Sequence, residues 1–168
     1  MLIYNQAFDL HHGVFRVLQI LSASPGIEFE VSKLRLLDFL LLFPEQLEKV
    51  RVPAGSMTGR NLFTREDNPY RSLDNPYRLF VELGPLQQEA LYALAAHEII
   101  DLPKLKRDYV ARTAKPLPPA LAETITVRNA QTQHLIDIIS KDLGQLPMFG
   151  ANGLKERTRF LTLRHEIV

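Results

Sequence analysis

Apolar residues between Asn5 and Ala23 recur every three or four positions, which predicts an amphipathic helix. The residues of this stripe are Ala7, Leu10, Val14, Val17, Leu18 and Leu21. Phe8 and Phe15 widen the stripe, so we expect the helix to pack against more than one neighbour. Ser24-Pro25-Gly26 should end it, because proline disfavours helical geometry before it and glycine permits a turn.

A second helix is predicted to begin near Ser32, a residue type that often caps helix N-termini. Residues 34–43 are apolar on nearly every side, which predicts a central position in the core. Pro44 should end this helix and open a short third one over 44–50, because proline at the first helical position loses no hydrogen bond. Three helices with tight connections are compatible with a helix-turn-helix arrangement, a weak signal that many helical domains share.

Residues 51–76 lack periodicity and hold several prolines and glycines, which predicts a long loop or extended arm. The chain repeats itself here, since Asp67-Asn68-Pro69-Tyr70-Arg71 returns as Asp74-Asn75-Pro76-Tyr77-Arg78. Asn-Pro initiates turns, so the repeat predicts two successive turns that present Tyr and Arg. Both residue types are enriched among interface anchors. We therefore take Tyr70, Arg71, Tyr77 and Arg78 as candidate partner-binding residues, the alternative being a plain role in turns and core.

The pattern that follows the repeat predicts a wing on the helical core. Apolar and charged residues alternate over 77–83, which indicates a strand, and Gly84-Pro85 should then open a helix to about Ile99. A second short strand is predicted over 108–113. The expected fold class is thus mainly α with a few short strands (α+β), arranged as a winged-helix-like helical domain.

The last third of the chain predicts one long helix and a terminal strand. Helical periodicity extends over 120–143, but Arg128 and Thr132 occupy its expected inner face. This polar gap indicates either a break or a helix that leaves the domain to meet a partner. Residues 160–168 should form the terminal strand. We therefore divide the chain into a winged-helix-like domain, 1–115, with its extended loop at 51–76, and a partner-binding arm, 116–168.

The composition excludes cysteine-based sites and argues against a membrane-spanning or secreted protein. The 168 residues contain no cysteine, which excludes disulfides, thiolate zinc sites and a thiol nucleophile, and fits a cytoplasmic protein. Apolar runs such as 39–43 are far shorter than the roughly 20 residues of a bilayer-crossing helix, so we expect no membrane span. The N-terminus also lacks the pattern of a secretory signal.

Motifs for catalysis are missing from the sequence. Neither of the glycine-rich phosphate-binding signatures occurs. His11 and His12 are adjacent, so on a helix they point about 100° apart and are poorly placed to share one metal. Two further histidines are each followed by an acidic residue three or four positions later, namely His97 by Asp101 and His134 by Asp137. A metal site needs three or four converging ligands, so we expect no metal, no cofactor and no enzymatic activity.

One basic cluster is a candidate for nucleic-acid contact. It comprises Lys104, Lys106, Arg107, Arg112 and Lys115. Lysine and arginine on a turn and strand could meet DNA phosphates. The alternative is a solvated face, which the formal net charge of +1 favours. A second and weaker candidate comprises Lys155, Arg157 and Arg159.

Four segments resemble the small middle components of ABC-three-component systems. The first is the opening, Tyr4-Asn5-Gln6-Ala7-Phe8-Asp9-Leu10-His11-His12-Gly13. The second is the core helix, Leu34-Arg35-Leu36-Leu37-Asp38-Phe39-Leu40-Leu41-Leu42-Phe43-Pro44. The others are Asn75-Pro76-Tyr77-Arg78-Leu79-Phe80 and Val110-Ala111-Arg112-Thr113 with Leu117-Pro118.

This resemblance implies a bacterial accessory subunit that accompanies a large SMC-like or RecN-like ABC ATPase and an effector, often a nuclease. Lamassu-type anti-phage and anti-plasmid systems have this layout. The ATPase would sense foreign DNA, the effector would cut it, and this chain would link the two without catalysis of its own. Double-stranded DNA would be met through the complex. The runner-up is a stand-alone winged-helix DNA-binding regulator.

Overall fold

A computed structural model describes residues 5–54 and 75–161 of the chain. Seven α-helices lie in this part: α1 Leu10–Ala23, α2 Val31–Leu42, α3 Pro76–Ala96, α4 Leu102–Leu105, α5 Pro119–Gln131, α6 Gln133–Asp137 and α7 Leu154–Arg157. Two short strands, β1 Phe29–Glu30 and β2 Tyr109–Val110, pair antiparallel with Phe29 opposite Val110. The prediction of a mainly α fold with a few short strands is confirmed.

Helix α1 ends at Ala23 as the sequence predicted, but it begins at Leu10 and not at Asn5. The Asp9 carboxylate caps it by accepting hydrogen bonds from the amides of His11 and His12, at 2.8 and 3.2 Å. A short 3-10 helix, Gln6–Phe8, precedes it. The predicted stripe lies in the core, where Leu18 and Leu21 are each 1% exposed.

Helix α2 is the centre of the core, as predicted. Leu37, Phe39 and Leu40 are fully buried along it. The helix begins at Val31, one residue before the expected cap Ser32, which is exposed within its first turn. The reason is that the Val31 amide donates to the Asp108 carbonyl at 2.9 Å, so β1 leads directly into the helix. Its end at Pro44 and the short helix beyond are confirmed, the latter as the 3-10 helix Pro44–Lys49.

The strand predicted over 77–83 is wrong, because these residues form the start of α3. The Asn75 side chain accepts a hydrogen bond from the Arg78 amide at 3.0 Å, and Pro76 occupies the first helical position. Arg78 then pairs with Glu82, one turn later, at 2.8 Å. The apolar residues of the apparent alternation include Leu83, which the helix buries completely. The helix-capping residues Asn75 and Pro76 therefore determine the structure of this segment, although its apolar and charged residues alternate as they would in a strand.

Gly84-Pro85 lies inside α3 and does not begin it. Pro85 is exposed, so its ring lies on the solvent side of the helix. A Cβ on Gly84 would lie 2.7 Å from Nη2 of Arg35, so glycine makes room for that guanidinium. Proline ordinarily weakens a helix interior. Here the helix tolerates it, because buried residues such as Leu91 and Leu94 hold the second half of α3 in the core.

The second predicted strand forms as β2, and an isolated bridge joins Arg112 to Ile100. The partner of β2 is β1 and not residues 77–83. The two paired strands therefore link the segment just before α2 to the segment between α4 and α5.

The long C-terminal helix is broken at Thr132, which is the first of the two alternatives that its polar gap indicated. Thr132 has a φ of −116° and separates α5 from α6. A π-helical turn, Ile138–Leu143, continues α6. Ile125, Ile136 and Leu143 are buried in the same core as α1 and α2.

The predicted terminal strand begins as helix. Phe160 and Leu161 lie in the 3-10 helix Arg159–Leu161, and the rest of that prediction lies outside the described residues. Across residues 5–54 and 75–161, no helix combines the length and apolarity that a bilayer crossing requires.

A buried polar network joins the three main helices. Arg16 of α1 donates to both carboxylate oxygens of Asp38 on α2, at 2.7 and 3.3 Å. Gln87 of α3 donates to the same carboxylate at 2.8 Å and to the Arg35 carbonyl at 3.1 Å. Arg35 returns a hydrogen bond to Gln87, and partial burial lowers the pKa of its guanidinium. Hydrogen-bonded charges of this kind are tolerated inside proteins because each finds its partners.

Candidate interaction surfaces

The second copy of the Asn-Pro-Tyr-Arg repeat is a helix start and not a turn. Asn75 and Pro76 cap α3, so Tyr77 and Arg78 lie in its first turn. Tyr77 is half-buried, whereas the Arg78 side chain is exposed beside Glu82. The first copy, with Tyr70 and Arg71, lies outside the described residues.

Three of the five residues in the basic cluster have partners around β2, which are a side chain for Lys104 and backbone carbonyls for Arg112 and Lys115. Lys104 pairs with Glu28 at 2.5 Å. Arg112 donates to the carbonyls of Ile99 and Lys115, at 2.9 and 3.0 Å. Lys115 donates in turn to the His97 carbonyl and pairs with Glu98. These cations therefore have structural partners.

Lys106 and Arg107 have a different environment. Both are exposed in the turn between α4 and β2. Neither side chain forms an ion pair or a hydrogen bond to any residue of the described ranges. They are therefore the members of the cluster that are best placed to contact another molecule.

Arg107, Tyr109 and Phe149 surround a concave region that we name the aromatic–basic surface. Phe149 is 62% exposed and Tyr109 is 43% exposed. The cavity between them has a volume of about 550 Å³ and is also lined by Arg35, Gln88 and the acidic residues Glu30 and Asp108. Lys155 lies 5.9 Å from the Phe149 ring centroid. Exposed rings beside arginine are typical of interface anchors.

A tight loop holds Phe149 in this exposed position. The amides of Leu154 and Lys155 donate to the carbonyls of Pro147 and Met148, at 2.8 and 3.0 Å. Met148 and Leu154 are buried on either side of the loop. Gly153 is required here, because a Cβ on it would lie 2.5 Å from the Phe149 carbonyl oxygen.

Phe149 was not among the sequence-predicted site residues. The signal that could have identified it is one aromatic residue within the glycine-rich loop 147–153. Tyr109 was predicted only as one side of a strand. Its exposure follows from the two-residue length of β2, which leaves its ring beyond the short sheet.

The second basic candidate is also used structurally. Arg157 donates to the carbonyls of Asn152 and Arg51, which ties α7 to the chain after α2. Arg159 pairs with Glu156. Lys155 remains as the exposed cation beside Phe149.

The histidine–acid pairs do not form a metal centre. His97 is the C-terminal cap of α3 and lies outside the helix that follows Asp101. The pKa of Asp137 is lowered, first by a hydrogen bond from Lys141 and also by one from Gln133 and by the charge of His134. Among the described residues, no three histidine or acidic side chains converge as metal ligands would.

Comparison with known proteins identifies the family of this chain. A model of the family described as ABC-three component (ABC-3C) system Middle Component 5 matches residues 2–166. No curated protein and no solved structure matches the chain. The family match covers nearly all of the sequence and confirms the resemblance carried by the opening segment and the core helix. The chain therefore belongs to the Middle Component 5 family of ABC-three-component systems.

Proposed function

We propose that this chain is a non-catalytic bridging subunit of a bacterial defence complex of the Lamassu type. It would link an SMC-like or RecN-like ABC ATPase to an effector such as a nuclease, in the cytoplasm. Membership of a middle-component family along residues 2–166 supports an accessory role. The observation that carries the proposal is the aromatic–basic surface, because exposed Phe149 and Tyr109 beside Arg107 have the composition of a protein interface.

Several residues would extend this contact. Tyr77 and Arg78 lie at the start of α3, and Tyr70 and Arg71 repeat the same residue types seven positions earlier. We propose that the repeat contacts one partner and the aromatic–basic surface contacts the other. A bridge requires one surface for each partner, since each partner needs an area of its own.

The first prediction concerns assembly. Tyr109→Ala combined with Phe149→Ala should lower the yield of co-purified complex at least tenfold, because truncation of two interface anchors typically costs several kcal/mol of binding. The measurement is affinity purification from cells that co-express the chain with the products of its two neighbouring genes. The fold should persist, because neither residue is part of the buried core.

Tyr92→Ala is the matched control for this experiment, since Tyr92 is 45% exposed on α3. It should leave the yield unchanged. A Tyr70→Ala and Tyr77→Ala variant in the same assay tests the repeat. If the Tyr109 and Phe149 variant retains full yield, the aromatic–basic surface is not an interface.

A second function, direct DNA binding, is favoured by Lys106 and Arg107, which are exposed and have no side-chain partner within residues 5–54 and 75–161. Lys104 and Arg112, which already have partners in the fold, would flank this contact. If the isolated chain shows salt-dependent binding of duplex DNA, Lys106→Glu combined with Arg107→Glu should abolish it. Lys49→Glu combined with Arg51→Glu changes the net charge equally and is the control. Electrophoretic mobility shift at two salt concentrations is the measurement, and equal loss in both variants would exclude a specific contact.

A further inference from the structure

The break between α5 and α6 opens a cavity that the proposed function does not use. It has a volume of about 720 Å³ and lies between the first half of α1, the end of α2 and the chain around Thr132. We name it the helix-break cavity. Arg128 and Thr132, the polar residues on the expected inner face of the long helix, both line it. His11 and His12, which are poorly placed to share a metal, line it together from the opposite side.

Two contacts between helices fix the walls of this cavity. Gln19 of α1 donates to the Asn129 side chain at 3.0 Å, and Asn129 donates back to the Gln19 carbonyl at 3.1 Å. This pair holds α5 against α1, next to Arg128. Thr132 donates its hydroxyl to the Arg128 carbonyl at 2.9 Å, which fixes the backbone at the break.

A buried arginine forms part of the same wall. The Arg16 side chain is only 9% exposed, and its Nε and Nη2 are held by Asp38 at 2.7 and 3.3 Å. Its guanidinium is therefore fixed in orientation where it borders the cavity. A donor that is already ordered loses little conformational entropy when it binds a ligand.

The charged residues that line the cavity are of one sign. They are the arginines Arg16 and Arg128, together with the titratable His11 and His12. No carboxylate is among its described lining residues. Asp9 caps α1, and Asp38 already forms an ion pair with Arg16, so Arg128 is the lining arginine whose charge has no ion-pair partner among the described residues. Arg128 is exposed and forms no side-chain ion pair or hydrogen bond within residues 5–54 and 75–161.

The rest of the lining is apolar. Phe15, Leu41 and Leu135 contribute to it from three different helices. The cavity therefore combines an apolar wall with cationic donors at fixed positions, which is the usual composition of a site for an organic anion. We propose that the helix-break cavity binds an anionic group, a carboxylate or a phosphate, that is attached to an aromatic or aliphatic body. Arg128 is the principal cation, and the fixed guanidinium of Arg16 is the orienting donor.

The test compares two small probes that share a fluorophenyl ring, one with a carboxylate and the other with a neutral hydroxymethyl group in its place. The probes are 4-fluorophenylacetate and the neutral 2-(4-fluorophenyl)ethanol, and binding to the purified chain is followed by fluorine NMR line broadening. We expect saturable binding of the carboxylate, with a dissociation constant in the millimolar range or tighter, and at least tenfold weaker binding of the alcohol. Inorganic phosphate should compete. Equal binding of both probes, or no saturable binding, would overturn the proposal.

Variants locate the site on the chain. Arg128→Gln should weaken binding of 4-fluorophenylacetate about tenfold, because one charge-assisted hydrogen bond is lost. The residue is exposed, so this variant should fold. His11→Gln should weaken binding less. Arg107→Gln, an exposed arginine of the aromatic–basic surface, should have no effect, and a loss equal to that of Arg128→Gln would overturn the assignment.

A final experiment distinguishes two sources of the anion, a free small molecule and an acidic side chain of a partner protein. The same titration on the co-purified complex gives unchanged binding if the natural ligand is a free small molecule. It gives no binding if an acidic side chain of a partner protein already fills the cavity. Both results are interpretable only after the isolated chain has bound the carboxylate, so failure of the bridging proposal does not affect the primary test.

Discussion

Replacing Asp38 with alanine should lower the free energy of unfolding by about 3–5 kcal/mol, because it leaves the buried charge of Arg16 without its partner. Asp38 is 2% exposed and accepts hydrogen bonds from Arg16 on α1 and Gln87 on α3. A domain of this size is stable by only about 5–15 kcal/mol. The loss would therefore remove a large fraction of the total, and urea denaturation followed by circular dichroism would measure it.

The control removes both charges. Arg16→Met combined with Asp38→Ala should recover much of the stability, because it is the uncompensated charge that costs most. If the single variant Asp38→Ala costs less than about 1 kcal/mol, the network is not the central connection between α1, α2 and α3. A double variant that is the sum of its singles would lead to the same conclusion.

Phe39→Ala should cost about 3–5 kcal/mol, since it leaves a large cavity in the middle of α2. Phe39 is fully buried, and its ring centroid lies 5.1 Å from that of Phe43 and 5.5 Å from that of Phe80. The Phe80 contact is edge-to-face, an arrangement favoured by aromatic quadrupoles. Thermal and urea denaturation would both measure the loss.

Two variants separate volume from aromatic contact. Phe39→Leu keeps much of the volume and should cost only about 1–2 kcal/mol, chiefly from the lost ring pairs. Phe8→Ala removes a ring that is 43% exposed and should change stability by less than about 0.5 kcal/mol. An equal cost for Phe8→Ala and Phe39→Ala would contradict the position of α2 at the centre of the core.

The sequence predicted the first two helices well because their apolar stripes are long and their ends are marked. Residues 34–43 are hydrophobic nearly all round, and that pattern is satisfied only by full burial. Even the exceptions within it have partners, since Asp38 meets Arg16 and Arg35 meets Gln87. The pair of Arg16 and Asp38 is buried, with side chains 9% and 2% exposed.

The prediction failed where local capping and apparent alternation disagree. Over 77–83 the apolar residues alternate, yet Asn75 and Pro76 start a helix immediately before them. Asn-Pro initiates turns and also caps helices, so a repeat of that dipeptide does not identify which one forms. The long helical run of α3 beyond Pro85 decides the outcome, and its tertiary packing is not visible in a short window.

Of the candidate site residues, the sequence found the cations but not their environments. All five cations belong to one basic cluster in the sequence. Only the structure shows that Lys104 pairs with Glu28 and that Arg112 and Lys115 donate to backbone carbonyls. Phe149 was missed because exposure of a single ring depends on how its loop closes. The polar gap at Arg128 and Thr132 was found, and the cavity explains why polar residues lie there.

The central claim is that this chain holds two other proteins together, and the most direct measurement is a purification with and without it. The products of the two neighbouring genes are co-expressed, the ATPase carries the affinity tag, and the amount of co-purified effector is measured by quantitative mass spectrometry. The account predicts that effector is recovered only when the chain is present, in a fixed ratio to it. Equal recovery of effector in its absence would contradict the account.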